Sequence, residues 1–391
     1  MNRYRMHQKK KHLPLLLLLV VTLLSCKSSG EVPQPSPGEP EEEDGLTYVY
    51  REGTNGYEVY RIPALLRTAS NTLLAFAEAR KKRSNGDTGD IDLVVRRSTD
   101  GGTTWSDMIM VWDDGMHTCG NPVPILDETS GRIHLLMNWN HGDDKWSDLT
   151  TGQSIDRRRT YYTFSDDDGL TWETPRELTD AVSKPYWGWY GAGPVHGIQL
   201  QNEHYKGRLV APCYYTVMVE GSRRYHVQAV YSDDNGITWI PGDTTNFDGV
   251  GECTVAELSD GSLMMNMRTG GGARRYAISN DGGQSWGDVT VDNNLPDPEC
   301  QGSLLSVAVG DERQLFFANA AHGSERIHMM VRRSADDGAT WNFEKTIHEG
   351  PAAYSDMTVI SDTEIGLLFE GGINRPYEGL AFEKLLLEDF Q

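Results

Sequence analysis

The chain has 391 residues, with 36 basic against 57 acidic side chains and a formal charge of −21. That balance excludes nucleic acid and anionic membrane surfaces as main partners. At 38% hydrophobic and 24% charged it is too apolar to be a disordered chain, and its 41 Gly, 10 Trp and 17 Tyr suit a turn-rich β protein rather than a helical bundle.

In chain order, Arg3, Arg5 and Lys9 to Lys11 make a positive start, followed by an apolar run from Leu13 to Leu24. Twelve helical residues rise about 18 Å, short of the roughly 30 Å of a bilayer core. Residues 1–25 therefore read as an export signal. The run ends Leu23-Leu24-Ser25-Cys26, which resembles the bacterial lipoprotein cleavage box and implies lipidation of Cys26. The alternative is an ordinary secretory signal followed by a chance cysteine. Residues 26–45 are mostly Ser, Pro, Gly and acid, with Val32 the only aliphatic side chain; they cannot bury apolar surface and predict a solvated tether. The expected protein is an exported bacterial lipoprotein of the periplasm, outer membrane or cell surface, touching membrane only through its N-terminal lipid. A single folded body is expected over 46–391. Its cysteines (Cys119, Cys213, Cys253, Cys300) show no C-x-x-C spacing, so neither a metal site nor a redox motif is predicted.

Within that body the pattern Ser-x-Asp-x-Gly-x-x-Trp recurs five times, at Ser98–Trp105, Ser165–Trp172, Ser232–Trp239, Ser279–Trp286 and Ser334–Trp341. Each copy has a mechanical reading. Ser and Asp side chains bond backbone N–H groups of a tight turn, Gly supplies positive φ and Trp packs the loop down. Short apolar runs such as Leu93-Val94-Val95 precede most copies, so the unit is strand, turn, strand. Five such units fit a radial array of small sheets better than a sandwich. The turns lack the ligand spacing of a calcium loop and read as structural.

These repeats resemble Asp boxes, and residues 46–391 resemble the bacterial exo-α-sialidases of glycoside hydrolase family 33. The resemblance implies an all-β, six-bladed β-propeller in which one blade lacks a box. It also implies removal of terminal α-linked sialic acid from glycoproteins, glycolipids and oligosaccharides, without a cofactor.

That substrate sets physical demands. Its carboxylate asks for fixed arginines, whose planar fork grips it bidentately. A carboxylate nucleophile beside it would be repelled; sialidases are known for using tyrosine instead. A phenol of pKa near 10 then needs a base, and the leaving oxygen needs an acid. By resemblance, Tyr60-Arg61-Ile62-Pro63 supplies the first clamp arginine, Arg61. LLAFAEAR supplies Arg80, near the sugar's O4 side. In GDTGDIDLVVRRS the acid/base is Asp87, with Asp90 the runner-up. Glu252 is the base, Arg268 and Arg326 complete the clamp, Tyr354 is the nucleophile and Glu370 orients Arg61 from behind. Asn121 stands where many relatives have an Asp that touches the sugar. Trp187, Trp189 and Tyr190 are candidates for an apolar wall, with packing inside the sheet as the alternative. His196 is expected to be structural.

All three of Tyr354, Glu252 and Asp87 are present, which favours an enzyme over a non-catalytic sialic-acid-binding propeller. A trans-sialidase, intramolecular or not, would share the same central residues.

Overall fold

The computed structural model describes residues 41–43, 45–310 and 312–390. Cys26, the expected export signal over 1–25 and nearly all of the expected tether over 26–45 lie outside the described residues. At the tether's end, Glu41–Glu43 pairs antiparallel with Leu46–Tyr48. Order therefore begins before Leu46. A strand ladder is made of backbone N–H and C=O groups, so three glutamates can supply one without apolar side chains.

The fold is all-β, and its organising unit is the antiparallel meander. Val59–Arg67 pairs with Leu73–Arg80, which pairs with Ile91–Ser98. The pattern repeats with Thr118–Leu126, Ile133–Asn140 and Arg159–Ser165. It repeats again around the long hairpin Leu209–Val219/Ser222–Ser232, and in Val250–Glu257, Leu263–Thr269 and Ala273–Ser279. Ser303–Val309, Glu312–Ala320 and Ile327–Ser334 form a further copy. The 19-residue strand Phe343–Ser361 serves two meanders, its first half against Ile327–Ser334 and its second against Glu364–Gly371. Gly379–Leu386 finally pairs with Leu46–Arg51, so the last long strand meets the strand at Leu46–Arg51 and not only its sequence neighbours.

The five repeated turns share one hydrogen-bond pattern. The Ser hydroxyl takes the N–H of the fixed glycine at 2.8–2.9 Å (Ser98 to Gly102, Ser165 to Gly169, Ser232 to Gly236, Ser279 to Gly283, Ser334 to Gly338). The Asp carboxylate takes the backbone N–H four residues on, at 2.8–2.9 Å in every copy. The glycine has positive φ each time, but conformation is only half its reason. A Cβ on Gly102 would fall 2.1 Å from the Phe382 ring, and one on Gly236 2.5 Å from His134. At Gly102 and Gly236 the turn is pressed against the adjoining meander, and a side chain there would wedge the two apart, whereas at Gly283 the nearest atoms lie at 3.6 Å and only the conformation asks for glycine.

The turn tryptophans extend this contact. Trp105 meets Phe382 edge-on at 5.3 Å, Trp172 meets Phe76 at 5.6 Å, and Trp239 lies 6.0 Å from Tyr162. Each ring thus reaches beyond its own loop to join two meanders. Below the site, buried Asp356 ties three segments, accepting from the backbone of Leu65 (2.9 Å) and His196 (3.0 Å) and from the His196 ring (2.7 Å). His196 is accounted for by this link.

Candidate active site

Four inner strands lose their regular register where they border one cavity. The shifts fall between Arg61 and Ala64, Gly120 and Val123, Val250 and Cys253, and Ala352 and Ser355. Bulges of this kind re-aim side chains, and the four interruptions bracket Ile62, Asn121, Glu252 and Tyr354. Two involve residues before proline held at positive φ, Ile62 (+58°) and Asn121 (+53°). That conformation is costly for a β-branched side chain and is typical of functional sites. It turns the Ile62 N–H onto Glu370 (3.0 Å) and the Asn121 N–H onto Glu78 (2.9 Å).

The cavity holds about 590 Å³ and is lined by Asp87, Asn121, Trp189, Glu252, Arg268 and Tyr354, among others. Tyr354 stands at its centre. Its hydroxyl lies 2.6 and 2.7 Å from the two Glu252 oxygens and accepts from Arg268 Nη1 at 3.0 Å. The same Arg268 nitrogen bonds Glu252 at 2.6 Å. Burial and the Glu252 charge hold the Tyr354 hydroxyl well above its ordinary value, while Arg268, Arg326 and Arg61 pull the other way. The phenol is therefore protonated at neutral pH, with its proton aimed at Glu252.

All three predicted clamp arginines meet around this ring. The Arg61 guanidinium is 5.0 Å and that of Arg326 5.6 Å from its centroid. Arg61 is gripped by both oxygens of the fully buried Glu370 at 2.9 and 3.0 Å. Glu370 also takes the Tyr354 backbone N–H at 3.2 Å, so one carboxylate orients both a clamp residue and the central tyrosine. Arg326 donates to the Tyr377 hydroxyl at 2.8 Å and to the Glu299 carbonyl at 2.9 Å.

Asp87 sits on the loop after Leu73–Arg80 with its side chain 48% exposed, 2.9 Å from Arg80 and 3.8 Å from Arg61. Partial burial raises its carboxyl, but the two guanidiniums outweigh that and hold it at about 2. Asp90 does not line the cavity. Asp92 is buried elsewhere, on Tyr57 (2.5 Å) and Lys81 (3.1 Å). Arg80 lies one layer behind Asp87, saturated by Glu78, Gly86 and Asp87. Asn121 spends its amide on Ala192 (3.1 Å) and Arg158 (2.9 Å). Of the three candidate wall aromatics only Trp189 reaches the cavity. Trp187 is stacked on Tyr215 at 3.6 Å and lies parallel to Tyr190 at 5.9 Å, inside the sheet packing.

Sequence reasoning passed over several participants. Glu78 was within reach, because it alternates with Arg80 along one strand and so shares its face. Tyr377 lies in an irregular loop and bridges two arginines, its ring 4.3 Å beneath Arg61; no pattern marks it. Buried Arg158, on Asn121, Asn140 and the Tyr190 carbonyl, is one of three consecutive arginines.

Residues 71–367 match the BNR repeat-like domain. The chain is 33% identical to the sialidase of Micromonospora viridifaciens over 88% of its own length and 54% of that protein's. It is 34% identical to an exo-alpha-sialidase of Arthroderma benhamiae, over 81% of this chain and 78% of that one. Among solved structures, Hadza microbial sialidase Hz136 superposes with a TM-score of 0.80 at 29% identity, covering 88% of this chain and 69% of that one.

Proposed function

The chain belongs to the sialidase family of BNR-repeat proteins, and on that premise we propose that it is a retaining exo-α-sialidase acting on glycoproteins, glycolipids and oligosaccharides. The observation that carries the mechanism is the Tyr354–Glu252–Arg268 cluster ringed by Arg61 and Arg326. The three arginines grip the substrate carboxylate. Tyr354 passes its proton to Glu252 as its oxygen attacks the anomeric carbon, and the bond to the aglycone oxygen breaks as Asp87 protonates it. Water, deprotonated by Asp87, then cleaves the sialyl–tyrosine bond while Glu252 returns the proton to the phenolate. Two displacements retain configuration.

Asp87 is anionic in the free enzyme because it leans on Arg80 and Arg61. A substrate carboxylate arriving at Arg61 takes up that positive charge and adds a negative one nearby. Both effects raise the Asp87 carboxyl towards the range where it can act as an acid. On this account the substrate arms its own general acid.

The meanders, their stapling turns and the pairing of Leu46–Arg51 with Gly379–Leu386 support a six-bladed propeller around this cavity. Export and anchoring through Cys26 are proposed from the sequence alone. The test is release of 4-methylumbelliferone from its sialoside, with NMR of the first product released from an α-sialoside. The α anomer is expected. First release of the β anomer would overturn the double displacement, and binding of sialic acid without turnover would mark a lectin.

A further inference from the structure

One wall of the same cavity is built from residues that the proposed chemistry leaves unused. The short helix Trp146–Thr151 and the tip of the hairpin Leu209–Val219/Ser222–Ser232 contribute Trp146, Arg223 and Tyr225 to the lining. The helix is pressed onto the strand Trp187–Ala192 at Gly188, where a Cβ would fall 2.8 Å from the carbonyls of both Leu149 and Thr150. That contact fixes Thr150, which is fully buried. Arg223 Nη1 donates to the Thr150 hydroxyl at 3.2 Å, and its guanidinium lies 4.4 Å from the Trp146 ring centroid and 5.3 Å from that of Tyr225.

Arg223 is thus positioned, yet among the described residues it forms no ion pair. Its neighbour Arg224 is paired with Asp248 at 2.7 Å. The carboxylates that line the cavity, Asp87, Glu252 and Glu299, lie against Arg80 and Arg268 instead, so in a chain of net charge −21 Arg223 is a held cation with no ion-pair partner among the described residues, an unused anion site. The carboxylate of the terminal sugar is already assigned to Arg61, Arg268 and Arg326. A second negative group within reach of the cavity must therefore come from the aglycone.

We propose that Arg223, backed by Trp146 and Tyr225, is a specificity subsite for an anionic aglycone. The guanidinium fork takes the acidic group, and the aromatic rings hold the fork in place. The acidic group is either the carboxylate of a second, internal sialic acid or a sulfate ester on the glycan. This inference rests on the sialidase reading above and deepens it.

The experiment compares kcat/KM on three substrates: neutral-aglycone 3′-sialyllactose, an α2,8-linked disialyl-lactose, and 3′-sialyl-6-sulfo-N-acetyllactosamine. The full chain is measured beside Arg223→Gln and Arg223→Lys. The expected result is a preference of the parent for at least one anionic substrate over the neutral one. Arg223→Gln lowers that ratio about tenfold, as expected for loss of a charge-assisted hydrogen-bond pair, and Arg223→Lys restores part of it. A ratio that falls only for the disialyl substrate assigns the site to a carboxylate, and one that falls only for the sulfated substrate to a sulfate. An equal loss on all three substrates, or an unchanged ratio, overturns the proposal. Absence of turnover of any sialoside by the parent would instead overturn the sialidase reading and this subsite with it.

Discussion

The two sides of the cavity are built in different ways. On the side of the proposed nucleophile, Tyr354, Glu252, Arg61 and Glu370 come from three bulged inner strands and the strand Glu364–Gly371. They are joined by hydrogen bonds of 2.6–3.2 Å, and Glu370 and Tyr354 are at most 5% exposed. On the side of the proposed acid, Asp87 rides on an irregular loop, half-exposed, and is held by the guanidiniums of Arg80 and Arg61. The first is preorganised, so its electrostatics exist before substrate arrives. The second is held by charges that the substrate itself will redistribute. The difference divides the chemistry into a part encoded in the fold and a part completed by binding.

The largest effects fall on the rigid side. Tyr354→Phe removes the proposed nucleophile and should lower kcat/KM on natural sialosides at least about a thousandfold, in line with other unit-acting catalytic groups. Steady-state assays on 3′-sialyllactose check this, and a loss of less than tenfold would reassign the nucleophile. Asp87→Asn should cost about a hundredfold or more on the same substrate. It should cost much less on the 4-methylumbelliferyl sialoside, whose leaving group needs little protonation. Equal losses on both would remove Asp87 from the acid role.

Glu370→Gln leaves Arg61 with a neutral partner, and the expected outcome is a rise in KM of about tenfold with a smaller change in kcat. A fall in kcat alone would show that Glu370 acts through the Tyr354 backbone instead. Asp87 also gives a binding signature. With its free-state carboxyl at about 2, it is ionised throughout the working range. A ligand carboxylate at Arg61 raises it, so binding a non-hydrolysable sialic acid analogue near pH 5 should take up a fraction of a proton. Calorimetry in buffers of different ionisation enthalpy reads that uptake, and Asp87→Asn should remove it. A buffer-independent enthalpy in the parent would contradict substrate arming of the acid.

The smallest effect belongs to the turns, away from the cavity. Asp234 takes the Thr238 N–H at 2.8 Å and its hydroxyl at 2.6 Å. Slight burial raises its carboxyl, and these bonds outweigh that and lower it. Because the folded value is depressed, the stabilisation is present above the ordinary carboxylate range and is lost as pH falls from there through the lower folded value. Asp234→Ala should cost about 1 kcal/mol, comparable to a lost helix cap, with kcat unchanged. Chemical denaturation at neutral pH and again near pH 3 should show the deficit shrinking in acid.

Much of this molecule was legible in its sequence because two of its features are local. The repeated turn encodes its own hydrogen bonds within eight residues, so five copies announce both the β class and the repeated strand-turn-strand unit. Arg61, Glu252, Arg268, Tyr354 and Glu370 sit in short recognisable strands, and the structure brings them together. What stayed hidden depends on contacts between distant segments. Trp187 and Trp189 lie two apart on the same strand, and a register shift between Trp187 and Tyr190 accompanies their different fates, one stacked in the sheet and one at the cavity. Tyr377 joins Arg61 to Arg326 from a loop without periodicity. Asn121 is read from sequence as a sugar contact, and only the fold reveals that buried Arg158 takes its oxygen. Glu41–Glu43, composed like a tether, pairs because a ladder asks only for backbone.

The central claim is that Tyr354, activated by Glu252, forms the covalent bond to the sugar. The most direct test is to incubate the protein with 2,3-difluorosialic acid, digest it and locate the adduct by tandem mass spectrometry. The account predicts a sialyl adduct on Tyr354, absent in Tyr354→Phe and formed far more slowly in Glu252→Gln. An adduct on Glu252 or Asp87, or full hydrolytic activity with no adduct on Tyr354, would contradict it.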